Sequence, residues 1–145
     1  MLKALVTVVA VLMMMNMVQS EKEGGDGLLS LKRTVRVTND LTNGIVLLLR
    51  CRSRDNDLGI HALGSGEYQE WTFRDNLAHT TLFWCAMRAS NVQLSFEIYS
   101  YKTDNLDCDT ECYRSFRNDG AYFYIQDQKK WEKRQSWNIP QLHVF

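Results

Sequence analysis

The sequence predicts an all-β fold, a single-domain antiparallel β-sandwich of about eight strands with two disulfides. From Val92 to Ile98, apolar and polar residues alternate strictly, as they do in a half-buried strand. The chain has one proline and no amphipathic helical pattern, and turn-forming residues separate its short apolar runs. Four cysteines, an even number, complete the pattern of a small disulfide-bonded domain.

The first 20 residues are typical of a secretory signal peptide. Lys3 precedes an apolar stretch from Ala4 to Met15, and charged residues follow Ser20, which is the layout of a cleaved leader. The stretch is shorter than the roughly 20 residues that cross a bilayer, so stable membrane insertion is not expected. We predict a secreted, extracellular protein. Its predicted segments are a signal peptide at 1–20, a flexible arm at 21–33, a sandwich domain at 34–137 and a C-terminal tail at 138–145.

The segments of the domain alternate as strands require. Val35 and Val37 mark the first strand, and Asn43-Gly44 predicts a hairpin into a central strand that ends at Cys51. Residues 52–67 are rich in turn formers and predict one long loop. Further strands are predicted at 68–74, 82–87, 92–98, 113–116, 122–125 and 131–137. The predicted core is Val35, Val37, Leu47, Leu49, Trp71, Phe73, Phe83, Cys85, Leu94, Phe96, Ile98 and Tyr122.

The cysteines Cys51, Cys85, Cys108 and Cys112 all follow the predicted cleavage site. In an exported chain they are expected to form two disulfides, and four cysteines allow three pairings. We favour bridges from Cys51 and Cys85 to the other pair, because a bridge between Cys108 and Cys112 would close only a small loop.

The formal charge is balanced, with 17 basic and 17 acidic residues. Such neutrality argues against nucleic acid as the main partner. No asparagine is followed two positions later by serine or threonine, so N-glycosylation is not expected. We expect a monomer whose partner is a protein or a carbohydrate.

Six blocks follow one another in a recognisable order. They are Val35–Asn39, Leu49–Gly59, Trp71–Arg74, Phe83–Cys85, Cys108 with Cys112, and Asp119-Gly120. Together they resemble the plant self-incompatibility S1 family, the S-protein homologues, over residues 34–137. The resemblance implies a secreted two-disulfide β-sandwich without catalysis, in a family whose founding members trigger rejection of self pollen from the pistil side. Ala89 and Arg114 stand where the family usually has tryptophan, which puts the packing or a contact surface there in doubt.

The loop that follows Cys51 carries the first candidate site, Arg52, Arg54, Asp55 and Asp57. Loops held on a rigid scaffold are the usual place for recognition, and arginine pairs well with a partner's carboxylates. We weigh a receptor contact against the alternative that these residues pair with one another. The start of a calcium loop is also present, but position 12 counted from Asp55 is Gly66 instead of glutamate, so no metal is expected.

The second candidate is an aromatic and basic patch formed by Trp131, Lys133, Arg134 and Trp137. Flat rings with polar edges suit the faces of sugars. The alternative interpretation is an edge strand that lysines protect from pairing with other chains.

Three histidines, His61, His79 and His143, raise the question of a secreted ribonuclease, because that chemistry uses imidazoles. They lie in unrelated segments without a flanking motif. We therefore predict no enzymatic activity, no catalytic residues and no cofactor. The leading hypothesis is an extracellular ligand for a cell-surface receptor. The alternative is a carbohydrate-binding module of the cell wall, and a secreted hydrolase ranks third.

Overall fold

The computed structural model of the protein describes residues 31–141. The predicted signal peptide, the arm up to residue 30 and the end of the tail from residue 142 lie outside the described residues. No helix within 31–141 is both long enough and apolar enough to cross a membrane.

The described chain is almost entirely β-structure, which confirms the predicted fold class. It contains nine strands and one short helix. They are β1 (Lys32–Asn39), β2 (Leu47–Arg52), β3 (Asp57–Leu63), β4 (Tyr68–Arg74), β5 (Leu82–Ala89), β6 (Val92–Ser100), α1 (Tyr101–Asp104), β7 (Glu111–Arg117), β8 (Gly120–Ile125) and β9 (Lys130–Ser136).

The strands form two sheets. The five-stranded sheet has the order β4-β1-β7-β8-β9 and the four-stranded sheet has the order β3-β2-β5-β6. Within residues 31–141, the neighbouring strands pair antiparallel except β1 and β7, which are parallel and place Val35 opposite Cys112. This exception departs from the purely antiparallel sandwich that was predicted. Alternation along a strand shows which side chains are buried, but it does not determine the direction of the neighbouring strand.

The predicted hairpin at Asn43-Gly44 is wrong, because β1 and β2 belong to different sheets. Asn43 and Gly44 do adopt positive φ, at 60° and 65°, but the turn carries the chain across the sandwich. The buried Asn39 side chain holds this crossing: its Nδ2 donates to the carbonyls of Ile45 at 2.8 Å and Leu63 at 2.9 Å.

The predicted loop over residues 52–67 contains a strand, β3, paired with β2 from Leu47 opposite Leu63 to Arg52 opposite Asp57. Most of the side chains of β3 are exposed, because β3 lies at the edge of its sheet. An exposed edge strand need not alternate between apolar and polar residues, so sequence periodicity does not reveal it.

The core lies between the sheets and agrees largely with prediction. Seven of the predicted core residues are buried, namely Val35, Val37, Leu47, Leu49, Phe83, Cys85 and Ile98. Trp71, Phe73 and Phe96 are half-buried and pack against them, with Phe73 and Phe83 ring centroids 4.8 Å apart, and Leu94 is likewise half-buried. Tyr122 was predicted wrongly: its register opposite Lys133 places it on the outer face of the five-stranded sheet.

The favoured disulfide pairing is also wrong. Cys51 bonds to Cys85 and Cys108 bonds to Cys112. Cys51 and Cys85 are direct partners on the adjacent strands β2 and β5, with Cα atoms 4.0 Å apart. The second bridge joins Cys108, in the turn before β7, to Cys112 near the start of β7, where a Cα separation of 5.1 Å suits a bridge. Proximity in the fold, across two strands for one bridge and along one turn for the other, therefore outweighs the loop-length argument.

Residues near both ends of the described chain are buried. Arg33, at the end of the predicted arm, is 4 % exposed in β1. Its guanidinium forms a salt bridge with Asp75 and donates to the carbonyl of Cys108. Ile139, in the predicted tail, is also buried in the core.

Candidate functional site

The turn between β2 and β3 is closed by its own hydrogen bonds. The Ser53 N–H donates to the Asn56 carbonyl at 2.8 Å, and the Asn56 N–H donates to Ser53 Oγ at 3.2 Å. Immediately before it, Cys51 fastens β2 to β5. The turn therefore presents its side chains from a rigid base.

Two of the four predicted loop residues are engaged within the protein. Arg50 Nη2 lies 2.5 Å from Asp57 Oδ2, and its Nε donates to Oδ1 at 3.3 Å. The hydrogen bond from Arg50, helped by the Gly59 N–H, lowers the pKa of Asp57 to about 2. Arg52 lies over the Trp84 ring, 5.5 Å from its centroid. The first contact links β2 to β3 beneath the turn, and the second links β2 to β5.

The other two predicted residues, Arg54 and Asp55, are exposed. Neither makes a hydrogen bond or ion pair with any other residue between 31 and 141. Each of the two predicted alternatives therefore describes part of this site. Asp57 pairs inside the protein, with Arg50 instead of with an arginine of the predicted site. Arg54 and Asp55 present unpaired charges to solvent.

A groove of about 420 Å³ lies beside this turn. Its other wall includes the connection between β4 and β5, residues 75–81, which lies between two predicted strands. The connection is well ordered: Asn76 Oδ1 accepts from the Thr80 N–H at 2.8 Å, and the Asn76 N–H donates to Thr81 Oγ1 at 2.8 Å. Leu77 in this connection is 80 % exposed. The groove is lined by residues that include Ser53, Arg54, Asn56, Asn76, Thr80 and Trp84.

A buried polar cluster anchors the start of that connection. Asp75 accepts from the Tyr99 hydroxyl at 2.6 Å and pairs with Arg33. Burial, and then the hydrogen bond to Asp75, raises the pKa of Tyr99 well above its ordinary value, so Tyr99 remains a neutral donor. Sequence analysis missed this cluster because its members come from three separate segments.

The predicted aromatic and basic patch is divided between two regions. Trp131 and Lys133 lie on the outer face of the five-stranded sheet, opposite Tyr124 and Tyr122. Trp131 is 40 % exposed, and Lys133 Nζ lies 3.0 Å from Asp119 Oδ2.

Arg134 and Trp137 face other parts of the protein. Arg134 pairs with Asp104 at 2.9 Å and with Asp107. Trp137 packs edge-on against Phe116 at 5.3 Å, and its Nε1–H donates to the Arg117 carbonyl at 2.7 Å. A β-bulge between Ala121 and Tyr122 shifts the register of β9 by one residue here. Because of the extra residue, Trp137 does not continue the alternation of Trp131 and Lys133 along the outer face.

Arg114, one of the two positions at which the sequence departs from the expected family pattern, is 1 % exposed. Its guanidinium lies over the Phe123 ring at 3.9 Å, and its Nε donates to the Ile98 carbonyl at 2.9 Å. Nη2 is 3.5 Å from Asp104 Oδ1 and makes no hydrogen bond. Burial lowers the pKa of Arg114 to about 10. The second such position, Ala89, is a buried core residue.

The two described histidines lie in different environments. His61 Nε2 is 2.8 Å from the Leu58 carbonyl, and the His79 ring stacks on Tyr101 at 4.4 Å. His143 lies outside the described residues. Across 31–141, no three or more histidine, cysteine, aspartate or glutamate side chains are grouped so that they could hold a metal ion.

Known proteins similar to this chain fall in one group. A family model described as plant self-incompatibility protein S1 matches residues 34–137. Self-incompatibility protein S1 of Papaver rhoeas is 33% identical over 101 residues, covering 68% of this chain and 72% of that protein. S-protein homolog 29 of Arabidopsis thaliana is 35% identical over 107 residues, covering 74% of this chain and 78% of the relative.

A solved structure agrees with these sequence matches at the level of the fold. It belongs to SPH (Self-Incompatibility Protein Homologue) proteins, described as a widespread family of small, highly stable, secreted proteins from plants. It aligns with a TM-score of 0.52 and 18% identity over 76% of this chain and 93% of its own. The family model, the curated relatives and the shared fold confirm the predicted resemblance, and this chain belongs to the plant self-incompatibility protein S1 family.

Proposed function

We propose that this protein is a secreted, non-enzymatic signalling ligand, and that a cell-surface receptor recognises it at the groove beside the β2–β3 turn. The predicted signal peptide and the family support secretion, since solved relatives are described as secreted plant proteins. The relative from Papaver rhoeas is named a self-incompatibility protein, which supports a role in recognition between cells.

One observation carries the proposal. Arg54 and Asp55 are exposed charges without an internal partner in the described chain, on a turn closed by its own hydrogen bonds. Holding charges in a fixed position before binding reduces the entropy that association costs. The exposed Leu77 lies in the connection that forms the groove's other wall. Charged and apolar groups together form the kind of contact a protein partner can match.

The test is binding of labelled mature protein, residues 21–145, to plant tissues and membranes. We expect saturable binding, and we expect the double variant Arg54→Ala with Asp55→Ala to weaken it about tenfold or more. Arg88→Ala is the matched control, because Arg88 is an exposed arginine on a strand of the four-stranded sheet. Absence of saturable binding on every tissue, or equal loss in the control, would refute the proposal.

The hydrolase hypothesis is tested separately. If the purified protein shows any hydrolytic activity, the double variant His61→Ala with His79→Ala should leave it unchanged, since the two rings contact unrelated residues. Activity that disappears in this variant would contradict the non-enzymatic role.

A further inference from the structure

The outer face of the five-stranded sheet carries a row of aromatic rings and arginines that reaches from one edge strand to the other. Arg36 on β1 lies opposite Glu70 on β4 and Tyr113 on β7, and Tyr124 on β8 lies opposite Trp131 on β9. We call this row the aromatic ladder. Its members are Tyr68, Arg36, Tyr113, Tyr124, Trp131, Arg117 and Tyr122.

Successive members of the ladder are in contact. The Arg36 guanidinium lies 4.5 Å from the Tyr68 ring centroid and 4.6 Å from that of Tyr113. Tyr113 and Tyr124 are 6.4 Å apart, and Tyr124 and Trp131 are 5.2 Å apart. Five strands at their usual spacing give the row a length of about 19 Å. It is therefore long enough to contact several units of an extended chain.

Cross-strand packing explains why neighbouring rings touch, but it does not explain how exposed the two ends are. Tyr68 on edge strand β4 is 54 % exposed, and Trp131 on edge strand β9 is 40 % exposed. The largest side chain of the ladder thus lies where it adds least to the core. An exposed ring with a polar edge is suited to contact a partner.

The two arginines of the ladder differ in whether a carboxylate of the protein neutralises their charge. Arg36 Nε donates to Glu70 at 2.6 Å, which neutralises that end. Arg117 lies over Tyr122 at 4.1 Å and Trp131 at 5.4 Å. Its Nε donates to Ser115 Oγ at 3.1 Å, and Ser115 donates in turn to Asp40. Arg117 forms no ion pair with a carboxylate in the described part of the chain. Its guanidinium is therefore the cation of the ladder that is available to bind an anion.

We propose that the aromatic ladder binds an acidic polysaccharide, with sugar faces against the rings and a uronate carboxylate on Arg117. The positions that flank the ladder on this face carry hydroxyls, as at Thr34, Thr38 and Thr72, instead of aliphatic groups. The row is one side chain wide on β4 and β1 and two wide on β7 and β8, and its flanks are polar. Such a narrow row suits an extended hydroxyl-rich polymer better than a protein surface, whose buried centre is broader and more apolar. Arginine suits a carboxylate because its two parallel N–H groups can both donate.

The experiment measures binding of the mature chain to polygalacturonate by titration calorimetry and affinity electrophoresis. Methyl-esterified polygalacturonate is the matched probe, because it keeps the sugar backbone and loses the negative charge. We expect Trp131→Ala to weaken binding of both polymers about tenfold. Arg117→Gln should weaken binding of the acidic polymer about tenfold and leave binding of the ester unchanged. Added salt should weaken only the acidic complex.

Arg88→Gln, on the outer face of the other sheet, is the control and should bind both polymers like the parent. Unfolding midpoints of all variants show whether each variant is folded. No binding of polygalacturonate, or binding that Trp131→Ala leaves intact, would overturn the proposal. Loss of tissue binding in the ladder variants without any polysaccharide binding would identify the ladder as a protein interface and also overturn it. Because the turn is a separate surface, the Arg54 and Asp55 double variant should keep full polysaccharide binding.

Discussion

At the scale of single residues, the most unusual feature is a charged side chain buried inside the sandwich. Arg114 is buried, and its apolar contact is the Phe123 ring. Asp104 balances its charge from 3.5 Å. Asp104 also accepts from Arg134 at 2.9 Å and from the Ser100 N–H at 2.8 Å. The charge of Asp104 is therefore better compensated than the charge of Arg114.

This asymmetry predicts unequal costs for removing the two partners. Asp104→Asn should lower the free energy of unfolding by about 3–5 kcal/mol, because it leaves Arg114 as a buried charge without a counter-ion. Arg114→Met should cost less, because Asp104 keeps Arg134 and the Ser100 N–H. Guanidinium unfolding of both variants measures the difference. An equal or larger loss for Arg114→Met would show that the interactions of Arg114 stabilise the folded protein by more than its burial destabilises it.

At the scale of secondary-structure elements, the β7–β8 hairpin depends on one glycine. Gly120 has φ of 150°, and a Cβ at this position would lie 2.1 Å from the backbone oxygen of Gln135 on β9. The close approach of β9 to this turn is visible only in the folded protein, although Asp119-Gly120 is a turn signal in the sequence.

We predict that Gly120→Ala destabilises the protein by more than about 2 kcal/mol, because β9 must move to make room. Gly44→Ala is the matched control: its φ is 65°, with nothing within 4 Å of the added Cβ. The control should cost only about 1 kcal/mol, the usual strain of a positive φ. Thermal unfolding of both variants distinguishes the two effects, and similar losses would contradict the proposed clash.

At the scale of the whole molecule, the two disulfides constrain very different lengths of chain. Cys51–Cys85 joins residues 34 apart, whereas Cys108–Cys112 joins residues 4 apart. The first connects two central strands of the four-stranded sheet, and the second closes only the turn before β7.

Removal of the two bridges should therefore have unequal effects on stability. By loop entropy, replacing Cys51 and Cys85 with alanine should cost about 4 kcal/mol, and replacing Cys108 and Cys112 about 2 kcal/mol. Denaturant unfolding of the paired variants measures both values. Peptide mapping under non-reducing conditions checks the pairing itself, and peptides that link Cys51 or Cys85 to the second pair would refute it.

The fold class follows from the sequence alone, because alternation is a local property of a strand. Inward positions such as Val35, Leu47 and Ile98 follow from neighbours within a few residues. The six sequence blocks and their order along the chain likewise identified the family. The turn residues Arg54 and Asp55 and the side chain of Trp131, all exposed, were candidates from the sequence for the same reason, since turn composition and aromatic content are also local.

Which strands pair, and which side-chain contacts the pairing produces, depends on the tertiary structure. The parallel β1–β7 pair, the Cys51–Cys85 bridge and the burial of Arg114 depend on residues far apart in the chain. The bulge in β9 separates Trp137 from Trp131, and the packing of β7, β8 and β9 brings the Arg117 guanidinium to 5.4 Å from the Trp131 ring centroid. A period of two shows which face of a strand is buried, but strand neighbours are selected by the packing of both sheets on one core.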